Sequence, residues 1–283
     1  MNKKFLLTGS SGQLATEFKA YFSENDVKYT APQEKDFDIT DVRQLETVIV
    51  SEKPDIILNC AAYNQVDKAE EEQDTAFKIN SEAVENLALL CKKHKVFLVH
   101  YSSDYVFDGE KGNLYTESDT PNPLNVYGKS KLRGEEAVIK HLDQYLILRL
   151  SWVIGLGSQN FLFKLQGWAK EKAVLQISAD EVSVPTYTED IVNVTLQAIE
   201  RQLNGLYHLT NNGYCSRYEL AKYFITKMGM DNLVVPVPLS TFFTKATRPV
   251  LSAMSNSKIS SQLDIAIPKW EYGVDRFIER IKK

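Results

Sequence analysis

The stretch that decides the fold stands near the start of the chain and reads Lys4-Phe5-Leu6-Leu7-Thr8-Gly9-Ser10-Ser11-Gly12-Gln13-Leu14-Ala15. A Gly/Ser turn ends its apolar first half, which is typical of a buried strand. Apolar side chains then recur at helical spacing over residues 13–22. Glycines let a pyrophosphate approach the backbone, and free N–H groups at a helix start hold the anion. In this context the stretch predicts a dinucleotide-binding unit rather than only a turn that needs glycine.

The rest of the chain alternates between predicted strands and predicted helices. The strands are expected at residues 27–31, 55–61, 96–101 and 145–150, and the helices at 41–50, 74–94, about 125–141, 188–200, 217–228 and 274–282. This alternation predicts an α/β fold, a Rossmann-type doubly wound parallel sheet covered on both faces. Prolines punctuate shorter elements after about residue 155. We therefore expect an NAD(P)-binding domain over residues 1–155 and a smaller, mainly substrate-binding portion over 156–283, with a return of part of it to the sheet left open.

Composition and charge exclude several classes of protein. The 283 residues carry 33 Lys and Arg against 37 Asp and Glu, a net charge of -4, which argues against a nucleic-acid or anionic-membrane surface. The three cysteines, Cys60, Cys91 and Cys215, are odd in number and lack metal-like spacing. They exclude a disulfide framework and a cysteine-rich zinc site. No apolar run reaches the 18 or so residues of a membrane span, so we expect a cytoplasmic protein.

A tyrosine and a lysine form the second candidate site. Tyr127 and Lys131 stand four residues apart, so both face the same side of a predicted helix. We expect the ammonium to lower the pKa of the phenol from its usual value of about 10. Such a pair donates a proton to a carbonyl as hydride arrives. Ser103, at the end of a predicted strand, supplies a hydroxyl for that carbonyl. Without other motifs, the tyrosine and lysine would be interpreted as a chance pair on a helix surface, and Ser103 as a cap or turn residue. Because the same chain carries a phosphate-binding turn, we interpret all three as catalytic candidates.

These motifs together resemble the extended short-chain dehydrogenase/reductase family, and within it the dTDP-4-dehydrorhamnose reductase family. The matching pieces run nearly end to end: 12–14, 38–41, 61–63, 66–70, 103–109, 126–131, 149–153, 185–186, 207–211 and 248–249. The resemblance implies NAD(P)H-dependent reduction of the C4 ketone of dTDP-4-dehydro-6-deoxy-L-mannose (dTDP-6-deoxy-L-lyxo-4-hexulose) to dTDP-L-rhamnose, a precursor for a surface polysaccharide. Tyr105 follows Asp104, so the Asp-Glu pair of the related dehydratases is missing.

The resemblance also implies roles for single residues. Tyr127 is the general acid, Lys131 tunes it and binds the nicotinamide ribose, and Ser103 fills the Ser/Thr position. The implied cofactor-binding residues are Gly9, Ser10, Ser11, Gly12, Gln13, Leu14, Asp38, Ile39, Ala61, Ala62, Tyr63, Tyr127 and Lys131. The implied substrate-binding residues are Asn64, Val66, Ser103, Asp104, Tyr105 and Trp152.

The choice between NADPH and NADH stays open. Dinucleotide-binding units often carry an acid about 20 residues after the glycines, which binds the ribose 2′-hydroxyl of NAD. Here Pro32-Gln33-Glu34-Lys35 follows the predicted second strand, and no acid stands cleanly at that strand's end. This favours NADPH, with Lys35 either a phosphate ligand or a solvated surface charge.

Departures from the family pattern leave alternatives for the substrate. The family's Asp-Gln-x-Gly-x-Pro-Thr is Asp180-Glu181-Val182-Ser183-Val184-Pro185-Thr186 here, and Arg217 stands where the family often has Trp. A reductase or epimerase acting on another nucleotide sugar is therefore the first alternative. A non-catalytic NAD(P)-binding regulatory subunit, of the methionine adenosyltransferase type, is the second. Intact Tyr127, Lys131 and Ser103 argue against it.

Metal and partner expectations complete the interpretation. Some members of the resembled family dimerise through glutamates and Mg²⁺. Glu17 and Glu189 match two of those positions, and the third is unclear between Glu279 and Arg280. We expect no metal site, because exposed helix glutamates are the simpler interpretation. The expected partner is a small nucleotide sugar, with no nucleic acid and no membrane, and the protein is a monomer or homodimer.

Overall fold

The computed structural model describes residues 3–34 and 37–282. Its strands are β1 (Phe5–Thr8), β2 (Tyr29–Thr30), β3 (Ile56–Asn59), β4 (Phe97–Ser103), β5 (Tyr145–Leu150), β6 (Val153–Ile154), β7 (Val174–Ser178), β8 (Val182–Ser183), β9 (Thr186–Tyr187), β10 (Gly205–His208), β11 (Cys215–Ser216) and β12 (Leu233–Val237). Its α-helices are α1 (Gln13–Glu24), α2 (Val42–Glu52), α3 (Val66–Ala69), α4 (Gln73–Phe77), α5 (Ala83–His94), α6 (Val126–His141), α7 (Phe161–Glu171), α8 (Thr188–Glu200), α9 (Arg217–Met228), α10 (Ser257–Leu263) and α11 (Trp270–Lys282). A π-helical turn (Lys78–Glu82) joins α4 to α5, and 3-10 turns cover Asp104–Val106 and Leu239–Thr241.

The central sheet creates the crevice for the site. In the described part of the chain, six parallel strands lie in the order β2-β1-β3-β4-β5-β10. Since β1 pairs with both β2 and β3, the chain reverses its progress across the sheet at β1. In open α/β sheets a ligand crevice forms at such a switch point, beyond the carboxyl ends of the strands. The predicted Rossmann-type doubly wound α/β fold is confirmed.

Helices cover both faces of this sheet because its strands are apolar on both sides. All four residues of β1 and of β3 are buried. One face packs against α1 and α8 through side chains such as Phe18 and Ile191. The other face packs against α2, α5 and α6 through Leu45, Leu87 and Val138. A parallel sheet buried in this way leaves its strand ends as the open edge.

A third apolar cluster lies in the C-terminal part of the chain. It joins α7, α9 and α11 to the small parallel sheet of β7 and β12, with Leu162, Phe224 and Phe277 in its interior. Beyond residue 155 the chain also returns to the central sheet, where β10 pairs with β5. None of the helices in the described ranges combines the length and the apolar character that a membrane span needs.

Two local features differ from the predicted elements. The helix expected at 74–94 contains the π-helical turn, in which Asn80 bonds both to the backbone N–H and to the carbonyl of Tyr63. This turn therefore fixes the loop that follows β3. The strand expected at 27–31 is reduced to Tyr29–Thr30, at the edge of the sheet, where only one neighbour holds it.

Candidate active site

The glycine turn after β1 is built for close backbone approach. Gly9 has a φ of +62°, and a β carbon there would lie 2.6 Å from the backbone nitrogen of Ala61. Gly12 precedes α1, and no side chain caps that helix. The first N–H groups of an uncapped helix have no intrahelical partner and attract anions. The turn therefore fits the pyrophosphate of a dinucleotide.

Catalytic and cofactor candidates meet in one cavity of about 260 Å³. It lies where the turn after β1, the loop after β3 and the ends of β4 and β5 come together. Of the predicted site residues, the structure places these on its lining: Gly12, Gln13, Leu14, Ala61, Ala62, Asn64, Ser103, Asp104, Tyr127, Lys131 and Trp152. Residues from distant parts of the sequence thus converge at the switch point of the sheet.

The start of α6 fixes the tyrosine. Asn125 caps the helix by accepting the N–H of Gly128 at 2.8 Å. A β carbon at Gly128 would collide with the carbonyl oxygen of Tyr105, so this turn packs directly on the segment after β4. The Tyr127 hydroxyl faces the cavity, 3.5 Å from Asn64 Oδ1. The Tyr-Gly-Lys sequence therefore places the phenol beside the end of β4, where Ser103 stands.

The protonation of the pair differs from the sequence expectation. Burial raises the pKa of Tyr127 to about 12, although a hydrogen bond with Ser103 opposes the rise. Lys131 donates to the carbonyl oxygen of Tyr101 at 2.6 Å, and burial lowers the pKa of Lys131 to about 8. The expected net lowering of the Tyr127 pKa is therefore wrong, because desolvation of the phenolate dominates. The phenol stays protonated at neutral pH.

A buried carboxylate supports the serine. Asp104 accepts hydroxyl hydrogens from Ser252 at 2.5 Å, from Ser183 at 2.8 Å and from Ser103 at 3.2 Å. Burial raises the pKa of Asp104 to about 6, and the three hydroxyls oppose that rise. Asp104 therefore orients the hydroxyl of Ser103, and Ser183, which departs from the family's glycine, takes part in this network.

Two larger cavities adjoin the first. One, of about 420 Å³, is lined by Trp152 and by further aromatic and cationic side chains: Phe161, Trp168, Phe242, Lys164, Arg217 and Arg248. The other, of about 720 Å³, is lined by the predicted Tyr63, Asn64 and Val66. Trp152 also lines the catalytic cavity, so the two cavities meet at this residue. Its buried Nε1–H has no partner within the described part of the chain.

Arg217 holds the indole of Trp152 in place. The Arg217 guanidinium carbon lies 3.5 Å from the centre of the Trp152 ring, and its nitrogen is 3.5 Å from Glu181. The Tyr105 hydroxyl donates to the same carboxylate at 3.3 Å. Tyr105 thus faces Glu181, behind Tyr127, rather than lining the catalytic cavity. Two of the departures from the family pattern, Glu181 and Arg217, form one cluster on the lining of the 420 Å³ cavity.

The adenosine side of the predicted cofactor site is more open. Ile39 is half-buried, and the exposed Asp38 accepts the N–H of Thr40 at 2.8 Å. Ser10 is buried beneath the turn, and Ser11 donates to Glu34 at 2.6 Å. Neither Asp38 nor Ile39 lines the three cavities as far as the described residues define them. Lys35, the candidate phosphate ligand, lies outside the described residues.

The glutamates considered for Mg²⁺ already have cationic partners. One guanidinium nitrogen of Arg280 lies 2.7 Å from each carboxylate oxygen of Glu17. Arg276 lies 3.4 Å from Glu189. Over the described ranges, no group of three His, Cys, Asp or Glu side chains is placed to hold a metal ion. A guanidinium beside Glu17 does not fit a cation site at that carboxylate.

Comparison with known proteins agrees with this geometry. The sequence model of the family described as "RmlD substrate binding domain" matches residues 3–283. The dTDP-4-dehydrorhamnose reductase of Burkholderia thailandensis is 34% identical, over 96% of this chain and 96% of that protein. The chain belongs to the dTDP-4-dehydrorhamnose reductase family. The resemblance expected from the motifs is therefore confirmed.

Solved structures of this reductase family extend the likeness to the whole fold. A dTDP-4-dehydrorhamnose reductase from Clostridium acetobutylicum has a TM-score of 0.95 and 33% identity, covering 99% of this chain and 100% of that chain. The Bacillus anthracis dTDP-4-dehydrorhamnose reductase, solved in complex with NADP, gives the same TM-score, identity and coverage.

The sequence analysis gave no role to several residues that line these cavities. Gln159 and Asn160 line the catalytic cavity, and Lys164 and Arg248 line both adjoining cavities. Asn160 caps α7 by accepting the N–H of Phe163 at 3.0 Å. An Asn before an apolar helical run is an N-cap signal that predicts this helix start. The positions of Lys164 and Arg248 depend on tertiary packing, which local sequence does not encode.

Proposed function

We propose that this chain catalyses the NAD(P)H-dependent reduction of the C4 ketone of dTDP-4-dehydro-6-deoxy-L-mannose to dTDP-L-rhamnose. The observation that carries this proposal is the convergence of Ser103, Tyr127 and Lys131 on one cavity beside the phosphate-binding turn. The names of its relatives and the NADP complex of one of them support the same reaction. A regulatory subunit without activity would have no use for this arrangement.

The side chains divide the work of the reduction. A bound nicotinamide cofactor supplies the hydride to the C4 carbon. Tyr127, whose pKa of about 12 keeps it protonated, donates its hydroxyl proton to the C4 oxygen as that oxygen gains negative charge. Ser103 places its hydroxyl at the same oxygen. Lys131, with a pKa of about 8, carries the positive charge that stabilises the tyrosinate left behind.

The neighbouring chamber suits a nucleoside diphosphate. Lys164, Arg217 and Arg248 supply cationic groups for the diphosphate, and arginine matches phosphate oxygens bidentately. Phe161 and Trp168 supply apolar faces for the base and the deoxyribose. Trp152 lines both this chamber and the catalytic cavity, so its ring is placed to contact the sugar between them.

We also propose how the chain is organised and where it works. Residues 1–155 chiefly bind the cofactor and residues 156–283 chiefly bind the substrate, which the position of Phe161, Lys164 and Arg217 on the nucleotide chamber supports. The protein works in the cytoplasm as a monomer or homodimer. Free thiols at all three cysteines fit a reducing compartment.

The test follows the oxidation of NADPH and of NADH with the dTDP-linked 4-keto-6-deoxy sugar, made enzymatically with an epimerase present. We expect turnover in the wild type, dTDP-L-rhamnose as the product by NMR, and a loss of roughly 10²–10⁴-fold in Tyr127→Phe. Tyr272→Phe, at an exposed tyrosine of α11, is the matched control and keeps full activity.

Two results would contradict the proposal. If Tyr127→Phe kept wild-type turnover, the proton donor would be wrong. If the folded wild type bound the cofactor but reduced no dTDP-linked ketone, the substrate would be wrong. The Glu181–Arg217 cluster would then favour a 4-keto sugar on another nucleotide as the next substrate to test.

A further inference from the structure

A carboxylate that the sequence pattern left aside contacts the glycine turn of the cofactor site. Ser11, in the glycine turn after β1, donates its hydroxyl to Glu34 Oε1 at 2.6 Å. Glu34 follows β2, the strand that flanks β1 at the edge of the sheet. The contact therefore joins the phosphate-binding turn to the loop after the second strand.

This junction is where Rossmann-type folds read the 2′ position of the adenosine ribose. An acid about 20 residues after the glycine turn accepts a hydrogen bond from the 2′-hydroxyl of NAD, whereas a cation accommodates the 2′-phosphate of NADP. Glu34 stands at about that spacing after Gly12. Ser11 holds one carboxylate oxygen, and within the described part of the chain the other oxygen accepts no hydrogen bond. Among the described residues, none competes with a ribose hydroxyl for that oxygen.

The local charge disfavours a second anion. A phosphate monoester adds a charge of about -1.5 to -2 near neutral pH. Among the described residues, Glu34 contacts Ser11 and forms no ion pair with a lysine, arginine or histidine. Glu34 is exposed, so water weakens the repulsion and the resulting preference is moderate rather than absolute.

We propose that Glu34 makes this chain select NADH over NADPH, by accepting a hydrogen bond from the adenosine ribose 2′-hydroxyl and repelling a 2′-phosphate. This selectivity rests on the cofactor site proposed above, and it reverses the preference that the strand-end sequence favours. It would also set the chain apart from the Bacillus anthracis relative that was solved with NADP.

The experiment measures equilibrium binding of NADH and NADPH to the full chain by cofactor fluorescence. We expect the wild type to bind NADH at least about tenfold more tightly than NADPH. Glu34→Gln should tighten NADPH binding by about tenfold and leave NADH binding within about threefold, and Glu34→Arg should reverse the ratio. Glu24→Gln, the same charge change at the exposed far end of α1, is the matched control and alters neither.

Two further readouts place the effect at the adenosine end. For the wild type, the ratio of the dissociation constants of NADPH and NADH should approach one as ionic strength rises, because salt screens exposed charges. The fragments 5′-AMP and adenosine 2′,5′-bisphosphate should show the same order of affinity as NADH and NADPH, since they carry the same difference at the 2′ position.

The outcomes separate this inference from the proposed reaction. Equal or tighter binding of NADPH by the wild type, or a ratio unchanged in Glu34→Gln, overturns it. A loss of tight NADPH binding in Lys35→Gln would assign the opposite selectivity to Lys35 and also overturns it. If the protein binds NADH more tightly than NADPH but does not reduce the dTDP-linked ketone, the proposed reaction is wrong and the proposed cofactor selectivity is supported. A folded wild type that binds neither dinucleotide would overturn both.

Discussion

Replacing Gly9 by alanine tests how the phosphate-binding turn is held. Gly9 has a φ of +62°, a conformation that costs a residue with a β carbon roughly 1–2 kcal/mol. The new β carbon would lie 2.6 Å from the nitrogen and 2.7 Å from the Cα of Ala61. Because these are backbone atoms, no side-chain rotation relieves the contact, and such overpacking costs about 1–3 kcal/mol. We expect Gly9→Ala to lower the free energy of unfolding by about 2–5 kcal/mol in total.

Gly229 provides the matched control. It ends α9 with a φ of +69°, and nothing lies within 4 Å of the position that its β carbon would take. Gly229→Ala therefore carries the conformational cost alone, about 1–2 kcal/mol. The difference between the two variants isolates the contact between the turn after β1 and the loop after β3.

Denaturant unfolding with linear extrapolation measures both variants, and NADH binding is followed in parallel. Gly9→Ala should also weaken NADH binding, because the turn must move away from Ala61. Equal destabilisation in Gly9→Ala and Gly229→Ala would refute the reasoning. It would mean that the two loops at the switch point of the sheet do not touch, and the cavity between them would be wrongly assigned.

Three further predictions concern charge. Burial lowers the pKa of Lys131 to about 8, so loss of its proton should reduce kcat/KM as the pH rises through that value. A kcat/KM that stays constant up to about pH 10 would contradict this role of Lys131. Mg²⁺ or EDTA should leave the melting temperature and the oligomeric state unchanged, because Arg280 already neutralises Glu17. Arg280→Ala should lower the free energy of unfolding by on the order of 3 kcal/mol, because the substitution leaves the buried carboxylate of Glu17 without its cationic partner. A Mg²⁺-dependent shift in the wild type would count against this pairing.

Regular elements were predictable wherever a strong apolar period met a clear end signal. The strand at 145–150 and the helices at 188–200 and 217–228 have the predicted bounds. The last of these begins with a capping box between Ser216 and Glu219. The two-residue strands β6, β8, β9 and β11 could not be predicted, because two residues carry no periodicity. They form through pairing with distant segments, as when Val153 lies beside Thr186.

The candidate site was predictable in its motifs but not in its tertiary contacts. The glycine turn and the Tyr-Gly-Lys helix start are local sequence patterns. Both were expected at one site because ligands of open α/β sheets bind beyond the carboxyl ends of the strands. The contact of Arg217 with Trp152 joins segments that are far apart in sequence, and the sequence of neither segment predicts it. The pKa of Tyr127 depends on how deeply packing buries the phenol, which the i, i+4 spacing of the pair does not reveal.

Asp104 shows why the site belongs to both parts of the chain. Its carboxylate receives one hydroxyl from its neighbour Ser103 and two from Ser183 and Ser252, which lie 79 and 148 residues further along. Buried polar groups need such partners, so the C-terminal segments satisfy a group that stands at the end of β4. Ser103 is thereby oriented, through Asp104, by two serines from the C-terminal part of the chain. The orientation of Ser103 in the cavity therefore depends on how the segments that carry Ser183 and Ser252 pack against the end of β4.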